Sequence, residues 1–190
     1  MTHALLIYNA VLLDEETNTP GAVLSVDGKI RSVFHGYYTN ANTVSAMAKA
    51  VLLEDGYSAE CTLELFDAAG LTLTPAFIDM HVHLRYPGFP LKEDLESGIR
   101  AAAAGGFGTI VAMPNTKPVV SSLEEALRIE NEAKEFGLTN VIQAVSITEN
   151  FEGKSTEHIN VLDNVHTPVI SEDGREVAST EVMLNGMEKA

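Results

Sequence analysis

The most informative stretch of the sequence is PAFIDMHVHLR, residues 75–85, in which an apolar run ends in two histidines separated by one residue. Side chains two residues apart on a β-strand face the same side, so His81 and His83 are expected to point together and Val82 away from them. Neutral imidazoles are good Zn²⁺ ligands, and imidazoles on a buried face need polar partners. The stretch therefore predicts a buried strand that ends in a metal site, with a metal-free polar cluster as the alternative.

Arg85 follows two residues after His83, beyond the expected strand end and on the same side. Its guanidinium group can bind a carboxylate through two parallel hydrogen bonds. We therefore expect Arg85 to hold an anionic substrate beside the metal. Without the two histidines, an exposed arginine on an acidic surface would be the better interpretation.

After about residue 73 the chain alternates apolar strands with helical segments, the pattern of βα units around a parallel sheet. Strands are predicted at AFIDMHVH, GTIVAMP, NVIQAVSI and TPVIS. Helices are predicted at KEDLESGIRAAAAGG, SLEEALRIENEAKEF, STEHINVLD and ASTEVMLNGMEKA. About four βα units form only part of a TIM-type (β/α) barrel, because a closed barrel of eight units needs about 250 residues. We expect residues 74–190 to be the N-terminal part of such a barrel.

Residues 1–73 instead contain short strands and turns, including a hairpin signal at Asp27-Gly28. They predict a small all-β sandwich module ahead of the barrel. Segment 36–57 interrupts this module and is expected to be a less regular insertion with one short helix.

Two other predicted strands end in polar residues, and the active site of a (β/α) barrel lies at the carboxyl ends of its strands. Asn115 follows the second strand within PNTKP and offers an amide for binding a carboxylate. Asp173 follows the fourth strand within SEDG and offers a carboxylate for bridging metal ions. Each residue alone is equally typical of a turn, so its position at a strand end is what favours a site.

The composition excludes several classes of protein. The 190 residues carry a formal net charge of −15, from 12 Lys and Arg against 27 Asp and Glu, which argues against binding to nucleic acid or anionic membranes. No apolar segment approaches the roughly 20 residues of a membrane-spanning helix, and the N-terminus lacks the basic start of a signal peptide. The single cysteine, Cys61, cannot form an internal disulfide. We expect a cytoplasmic protein.

Three segments together resemble the amidohydrolase superfamily, and within it the dihydroorotases. They are FIDMHVHLRYPG, KEDLESGIRAAAAGGFGTIVAMPNTKPV and ISEDG. The resemblance covers residues 67–190, and the preceding module is similar to the small sandwich that such enzymes carry beside the barrel. HVHLR alone leaves hydantoinases and allantoinases open, whereas MPNTKP favours dihydroorotase.

The resemblance implies a zinc-dependent hydrolase that interconverts (S)-dihydroorotate and N-carbamoyl-L-aspartate in de novo pyrimidine biosynthesis. It implies that His81, His83 and Asp173 bind metal, with a binuclear Zn²⁺ centre in the complete enzyme. It also implies that His83, Arg85 and Asn115 contact the substrate, the last two through its carboxylate.

The resemblance is incomplete in two respects. Ala76 stands where the family's strand usually has glycine. Two further histidine ligands and an aspartate that acts as general base are expected on later strands, so no catalytic general base is expected within this chain. His158 and His166 match no ligand of the family. We therefore expect an incomplete fragment with little or no hydrolase activity of its own.

Two other functions remain open from the sequence. One is a non-catalytic dihydroorotase-like partner protein, for instance of aspartate transcarbamoylase, which reading the gene past the codon for Ala190 would discriminate. The other is a hydantoinase or allantoinase, which shares the fold and the metals. The expected partners are a small-molecule substrate, a second copy in a homodimer and aspartate transcarbamoylase, with no nucleic acid and no membrane.

Overall fold

The computed structural model describes residues 2–57 and 61–190. The chain forms two compact units, Met1–Pro75 and Ala76–Ala190, which we call the β unit and the barrel unit. None of the described helices is both long and apolar enough to cross a membrane.

The β unit is built on a five-stranded sheet. Its strands are β1 (His3–Leu13), β2 (Asn18–Val26), β3 (Lys29–His35), β4 (Thr62–Asp67) and β5 (Thr72–Leu73). The order across the sheet is β3-β2-β1-β4, and β5 pairs with the distal part of β1. Strand β2 is antiparallel to both β1 and β3, whereas β4 and β5 are parallel to β1. The predicted Asp27-Gly28 turn joins β2 to β3, with positive φ at both residues.

Segment 36–57, predicted to be a less regular insertion with one short helix, contains the fourteen-residue helix α1 (Ala41–Glu54). The Asn40 side chain caps it by accepting hydrogen bonds from two backbone N–H groups of the first turn. The helix packs on the sheet through residues spaced four apart: Val44, Ala48 and Leu52. This apolar stripe is narrow and includes an alanine, so the sequence pattern understated the helix.

The barrel unit alternates strands and helices. Its strands are β6 (Phe77–Val82), β7 (Phe107–Ala112) and β8 (Asn140–Gln143), and its helices are α2 (Leu95–Ala104), α3 (Leu123–Lys134) and α4 (Thr180–Lys189). The three strands are parallel and adjacent in the order β6-β7-β8. The prediction that β6 is a buried strand is wrong for this structure: its residues are exposed or half-buried, since β6 is the edge strand of this sheet. The helix predicted within STEHINVLD is a five-residue 3-10 helix at Glu157–Val161.

Helices α2 and α3 begin where local capping signals place them. The Asp94 side chain accepts from Ser97 N–H in a reciprocal capping box, and Ser122 caps α3 in the same way through Glu125 N–H. Both helices pack on the sheet through a common core, whose largest members include Ile99, Ile110, Ile129 and Val141. Alternate strand residues form a second cluster on the opposite face, made of Val111, Met113 and Ala144.

The fourth predicted strand, TPVIS, is reduced to a single parallel bridge between Val145 and Ile170. Its hydrogen bonds run from Val145 N–H to the Val169 carbonyl and from Ser171 N–H to the Val145 carbonyl. The ladder does not extend toward the start of β8, where the Gln143 N–H donates to the Glu130 carboxylate. The segment still lies beside the extension of β8, so the predicted order of the four strand segments holds.

Glu130 lies on the buried side of α3, with only 6% of the residue exposed, and accepts the Gln143 N–H at 3.0 Å. Burial raises the pKa of its carboxyl group, and the Gln143 hydrogen bond and the charge of Lys134 oppose this rise only in part. The pKa of Glu130 is higher in the folded state than in the unfolded state. The free energy of unfolding is therefore expected to fall as the pH rises from the unfolded-state pKa to the folded-state pKa, and to stay lower at higher pH.

The Glu130→Gln variant keeps an acceptor oxygen for Gln143 and removes the charge. We expect it to raise the free energy of unfolding near neutral pH by about 0.5–2 kcal/mol, and to change it little below about pH 3, where the carboxyl group is protonated in both states. Urea denaturation at the two pH values measures the effect, with Glu124→Gln on the exposed side of the same helix as the control. A gain independent of pH, or an equal gain in the control, would contradict this explanation.

Candidate metal centre

The carboxyl ends of the parallel strands lie along one edge of the sheet. Val82 at the end of β6 pairs with Ala112 at the end of β7, and Ala112 pairs with Gln143 at the end of β8. The bridge between Val145 and Ile170 continues this edge to the fourth segment. The polar residues just beyond three of these ends come together: His83, Asn115 and Asp173.

His81, His83 and Asp173 form a compact cluster at this edge, in which one ligand atom of each lies within 4.8 Å of the others. His81 Nε2 is 3.1 Å from Asp173 Oδ1, and His83 Nε2 is 3.5 Å from Asp173 Oδ2. The two imidazole rings are nearly perpendicular, with centroids 5.3 Å apart. The His81 side chain is 55% exposed and that of His83 only 29%, so the cluster opens to solvent on the His81 side.

Asn115 links His83 to Asp173. Its Nδ2 donates to Asp173 Oδ2 at 2.6 Å, and its Oδ1 lies 3.0 Å from His83 Nδ1. Because a carboxylate only accepts hydrogen bonds, the amide nitrogen must face Asp173, which leaves Oδ1 to accept the Nδ1–H of His83. This arrangement fixes the proton of His83 on Nδ1 and keeps Nε2 available as a ligand atom.

Arg85 lies in the loop after β6 and has a φ of +57°, a conformation that residues other than glycine rarely adopt. The hydrogen bonds that join His83, Asn115 and Asp173 do not include Arg85. The loop is instead held through its next residues, because the Pro87 carbonyl accepts a hydrogen bond from Lys117 N–H at 3.0 Å. The loops after β6 and β7, which carry Arg85 and Asn115, are therefore in direct contact.

Two imidazoles and one carboxylate are a donor set typical of catalytic zinc sites, which use three protein ligands and keep a further position open. A histidine that binds metal usually donates its other N–H to an oxygen, as His83 does to Asn115. The cluster therefore fits a divalent cation. His158 and His166 lie apart from it, as expected: His158 contacts the Ser146 carbonyl, and His166 pairs with Asp163.

Sequence reasoning missed two buried residues behind the cluster, Thr148 and Glu172, which are 0% and 8% exposed. The Thr148 N–H donates to Glu172 Oε2 at 2.8 Å, and the Thr148 hydroxyl donates to Oε1. The available signal was the pair of consecutive acids at a strand end. Of the two acids, Asp173 contacts the histidines and Glu172 contacts Thr148.

Comparison with solved structures gives the fold class. The chain is similar to L-hydantoinase (dihydropyrimidinase) from Arthrobacter aurescens, with a TM-score of 0.68 and 18% identity over 97% of this chain and 38% of the other. It is also similar to β-aspartyl dipeptidase from Fervidobacterium islandicum, with a TM-score of 0.60 and 21% identity over 98% and 46% of the two chains. The predicted class is confirmed: the chain is a partial (β/α) barrel of the amidohydrolase kind, preceded by a β-sheet region.

Comparison of sequences gives the family. The family model of dihydro-orotase-like proteins matches residues 70–190. Relatives named dihydroorotase include those of Citrifermentans bemidjiense, 38% identical over 86% of this chain, Geobacter sulfurreducens, 44% over 73%, and Clostridium botulinum, 34% over 98%. The chain therefore belongs to the dihydroorotase-like family. The matched region is 38%, 32% and 42% of the length of these relatives, respectively.

Proposed function

We propose that the protein containing this chain is a metal-dependent dihydroorotase. The reaction is the reversible hydrolysis of the cyclic amide of (S)-dihydroorotate to N-carbamoyl-L-aspartate, in de novo pyrimidine biosynthesis. The observation that carries the proposal is the cluster of His81, His83 and Asp173, whose ligand atoms lie within 4.8 Å of one another. Membership of the dihydroorotase-like family supports the substrate class.

The proposed metal is Zn²⁺, because imidazole nitrogen and carboxylate oxygen are among its usual ligands. A divalent ion held by these groups would act as a Lewis acid toward an amide carbonyl and would make water nucleophilic near neutral pH. Each carboxylate oxygen of Asp173 faces a different histidine, which suits a carboxylate that bridges two ions. A binuclear centre would need ligands beyond these three.

His83, Arg85 and Asn115 are the proposed substrate contacts. Asn115 uses one N–H for Asp173 and keeps a second N–H that can donate to a substrate carboxylate. Arg85 lies in the loop after β6, which contacts the loop that carries Asn115, and its planar fork is suited to the same carboxylate. Together the two side chains would fix the ring for attack on its amide.

Metal analysis tests the centre itself. The 190-residue chain, purified without chelator, is expected to retain a divalent ion and to rebind Zn²⁺ or Co²⁺ saturably after dialysis against chelator. Calorimetric titration measures the stoichiometry and the affinity. A chain that binds neither ion would overturn the metal centre, and the proposed reaction with it.

A substrate comparison tests the reaction. The protein as its gene encodes it is assayed with dihydroorotate, hydantoin and allantoin side by side, before and after chelation. We expect chelator-sensitive turnover of dihydroorotate in clear preference to the other two. Preference for hydantoin or allantoin would replace the proposed substrate, and bound metal without turnover of any of the three would favour a non-catalytic role.

The Asn115→Leu variant tests the link between His83 and Asp173. Leucine has a similar volume but removes both hydrogen bonds, so His83 loses the partner that fixes its Nδ1 proton. We expect Co²⁺ affinity to fall by about 10-fold, because loss of a hydrogen-bond partner of a metal-binding histidine weakens metal affinity by at least about this factor. Titration calorimetry measures the change, with Asn160→Leu at an exposed position as the control. Equal affinities of the two variants would contradict the proposed role.

A further inference from the structure

We propose that Glu172 is a positioning residue, which through Thr148 holds the Asp173 carboxylate toward the two histidines. Thr148 donates two hydrogen bonds to the Glu172 carboxylate, from its backbone N–H and from its hydroxyl group, and we call them the Glu172–Thr148 tie. The effect of this contact on metal binding rests on the proposed metal centre, because Asp173 is one of its three proposed ligands. Its physical basis is the geometry of the segment that carries Asp173.

The backbone alone secures this segment poorly. Among the described residues, its last backbone hydrogen bond to the extension of β8 runs from Ser171 N–H to the Val145 carbonyl. Beyond it the chain turns, with Arg175 N–H donating to the Glu172 carbonyl. Asp173 therefore lies past the end of a very short ladder, and its direction depends on side-chain contacts.

The Glu172–Thr148 tie supplies such a contact at the residue directly before Asp173. Both carboxylate oxygens of Glu172 are engaged, one by the Thr148 N–H at 2.8 Å and the other by the Thr148 hydroxyl. Asp173 follows Glu172 directly and is the first central residue of the turn that the Arg175 N–H closes on the Glu172 carbonyl, so its backbone position depends on where Glu172 is held. When Glu172 is fixed on Thr148, Asp173 is directed toward His81 and His83.

Thr148 is a suitable anchor because it is itself firmly held. It is 0% exposed, and its hydroxyl oxygen accepts the Gly153 N–H at 2.9 Å while donating to Glu172. Two residues earlier, Ser146 N–H donates to the Val120 carbonyl at 2.9 Å, which secures the chain after β8. A displacement of Asp173 would therefore require breaking a buried, fully paired contact.

Three variants separate geometry from charge. Thr148→Val keeps the shape and the backbone N–H but removes the hydroxyl, and Glu172→Ala removes both acceptors. Glu172→Gln keeps the tie without the charge, because its Oε1 can accept the Thr148 N–H and its Nε2 can donate to the Thr148 hydroxyl oxygen. The matched control is Thr139→Val. Thr139 is 5% exposed and directly precedes β8, and its hydroxyl donates to the Phe107 carbonyl at the start of β7, away from the cluster.

The first measurement is Co²⁺ binding to the 190-residue chain, followed by visible absorption. We expect Thr148→Val and Glu172→Ala to weaken binding by about 10-fold and to change the Co²⁺ spectrum as the Asp173 carboxylate leaves the ion. Glu172→Gln and Thr139→Val should keep the wild-type spectrum and affinity. Wild-type binding by Thr148→Val, or an effect of Glu172→Gln as large as that of Glu172→Ala, overturns the proposal.

The second measurement needs no metal and separates this inference from the proposed function. Amide hydrogen exchange at Ser171 is expected to be several-fold faster in Thr148→Val than in Thr139→Val, because the segment loses its side-chain anchor. Equal exchange in the two variants overturns the tie. If the wild-type chain binds no Co²⁺, the proposed metal centre fails, while the exchange rates still decide whether Glu172 holds the segment.

Discussion

The His83→Ala variant is expected to bind Co²⁺ or Zn²⁺ at least about 100-fold more weakly than the wild-type chain. Loss of a residue that only hydrogen-bonds to a metal ligand weakens metal binding by about 10- to 100-fold, and loss of the ligand itself should cost more. His83 is the most connected member of the cluster, since its Nε2 faces Asp173 and its Nδ1 is bonded to Asn115. Its removal takes away one of three ligand atoms and also frees the Asn115 amide. Titration calorimetry with the metal-free chain measures the loss.

The matched control is His166→Ala. His166 is also a partly exposed histidine paired with an aspartate, but its partner is Asp163 and neither residue belongs to the cluster. This variant should keep the wild-type affinity. If both substitutions weakened binding equally, the metal would be held by scattered surface histidines, and the cluster would not be the site.

The Gly88→Ala variant is expected to cost about 2–6 kcal/mol of unfolding free energy, from backbone strain and steric overlap of about 1–3 kcal/mol each. Gly88 has a φ of +104°, which side chains disfavour. An added Cβ would also lie 2.3 Å from the Lys117 carbonyl oxygen, a backbone atom that cannot rotate away. The contact between the loops after β6 and β7 would have to open, which would disturb the loops that carry Arg85 and Asn115.

Urea denaturation followed by circular dichroism measures this loss. Gly137→Ala is the control, because Gly137 in the same unit also has positive φ but has nothing within 4 Å of the added Cβ. The Gly137→Ala variant should lose only the unfolding free energy that comes from backbone strain, about 1–2 kcal/mol. Equal losses in the two variants would mean that the loop contact tolerates a side chain at position 88.

Much of the fold could be predicted because its signals are local. The capping side chains of α2 and α3 and the apolar runs of β6 and β7 lie within a few residues of the elements they define. The predictions were weakest where long-range contacts set the outcome. The fourth predicted strand forms only one bridge, and the Gln143 N–H that would extend its pairing donates to Glu130 of α3, a contact that no local pattern indicates.

The candidate site could be predicted in its members but not in its connections. His81, His83 and Asp173 lie together, as the strand-end positions suggested. The second role of Asn115, as a link between His83 and Asp173, had no sequence signal, because an asparagine after a proline is equally typical of a turn. Glu172 was not singled out from the sequence, because its partner Thr148 lies 24 positions away.

The sequence by itself determined most of the strands and helices of the barrel unit, and that His81 and His83 at the end of β6 point to one side, because backbone geometry imposes these periods on the chain. Only the tertiary structure decided which side chains meet. The contacts of Asn115 with His83 and Asp173 and of Thr148 with Glu172 join residues 32, 58 and 24 positions apart. Such contacts depend on strand order and register, which bring the carboxyl ends of separate strands to one edge of the sheet.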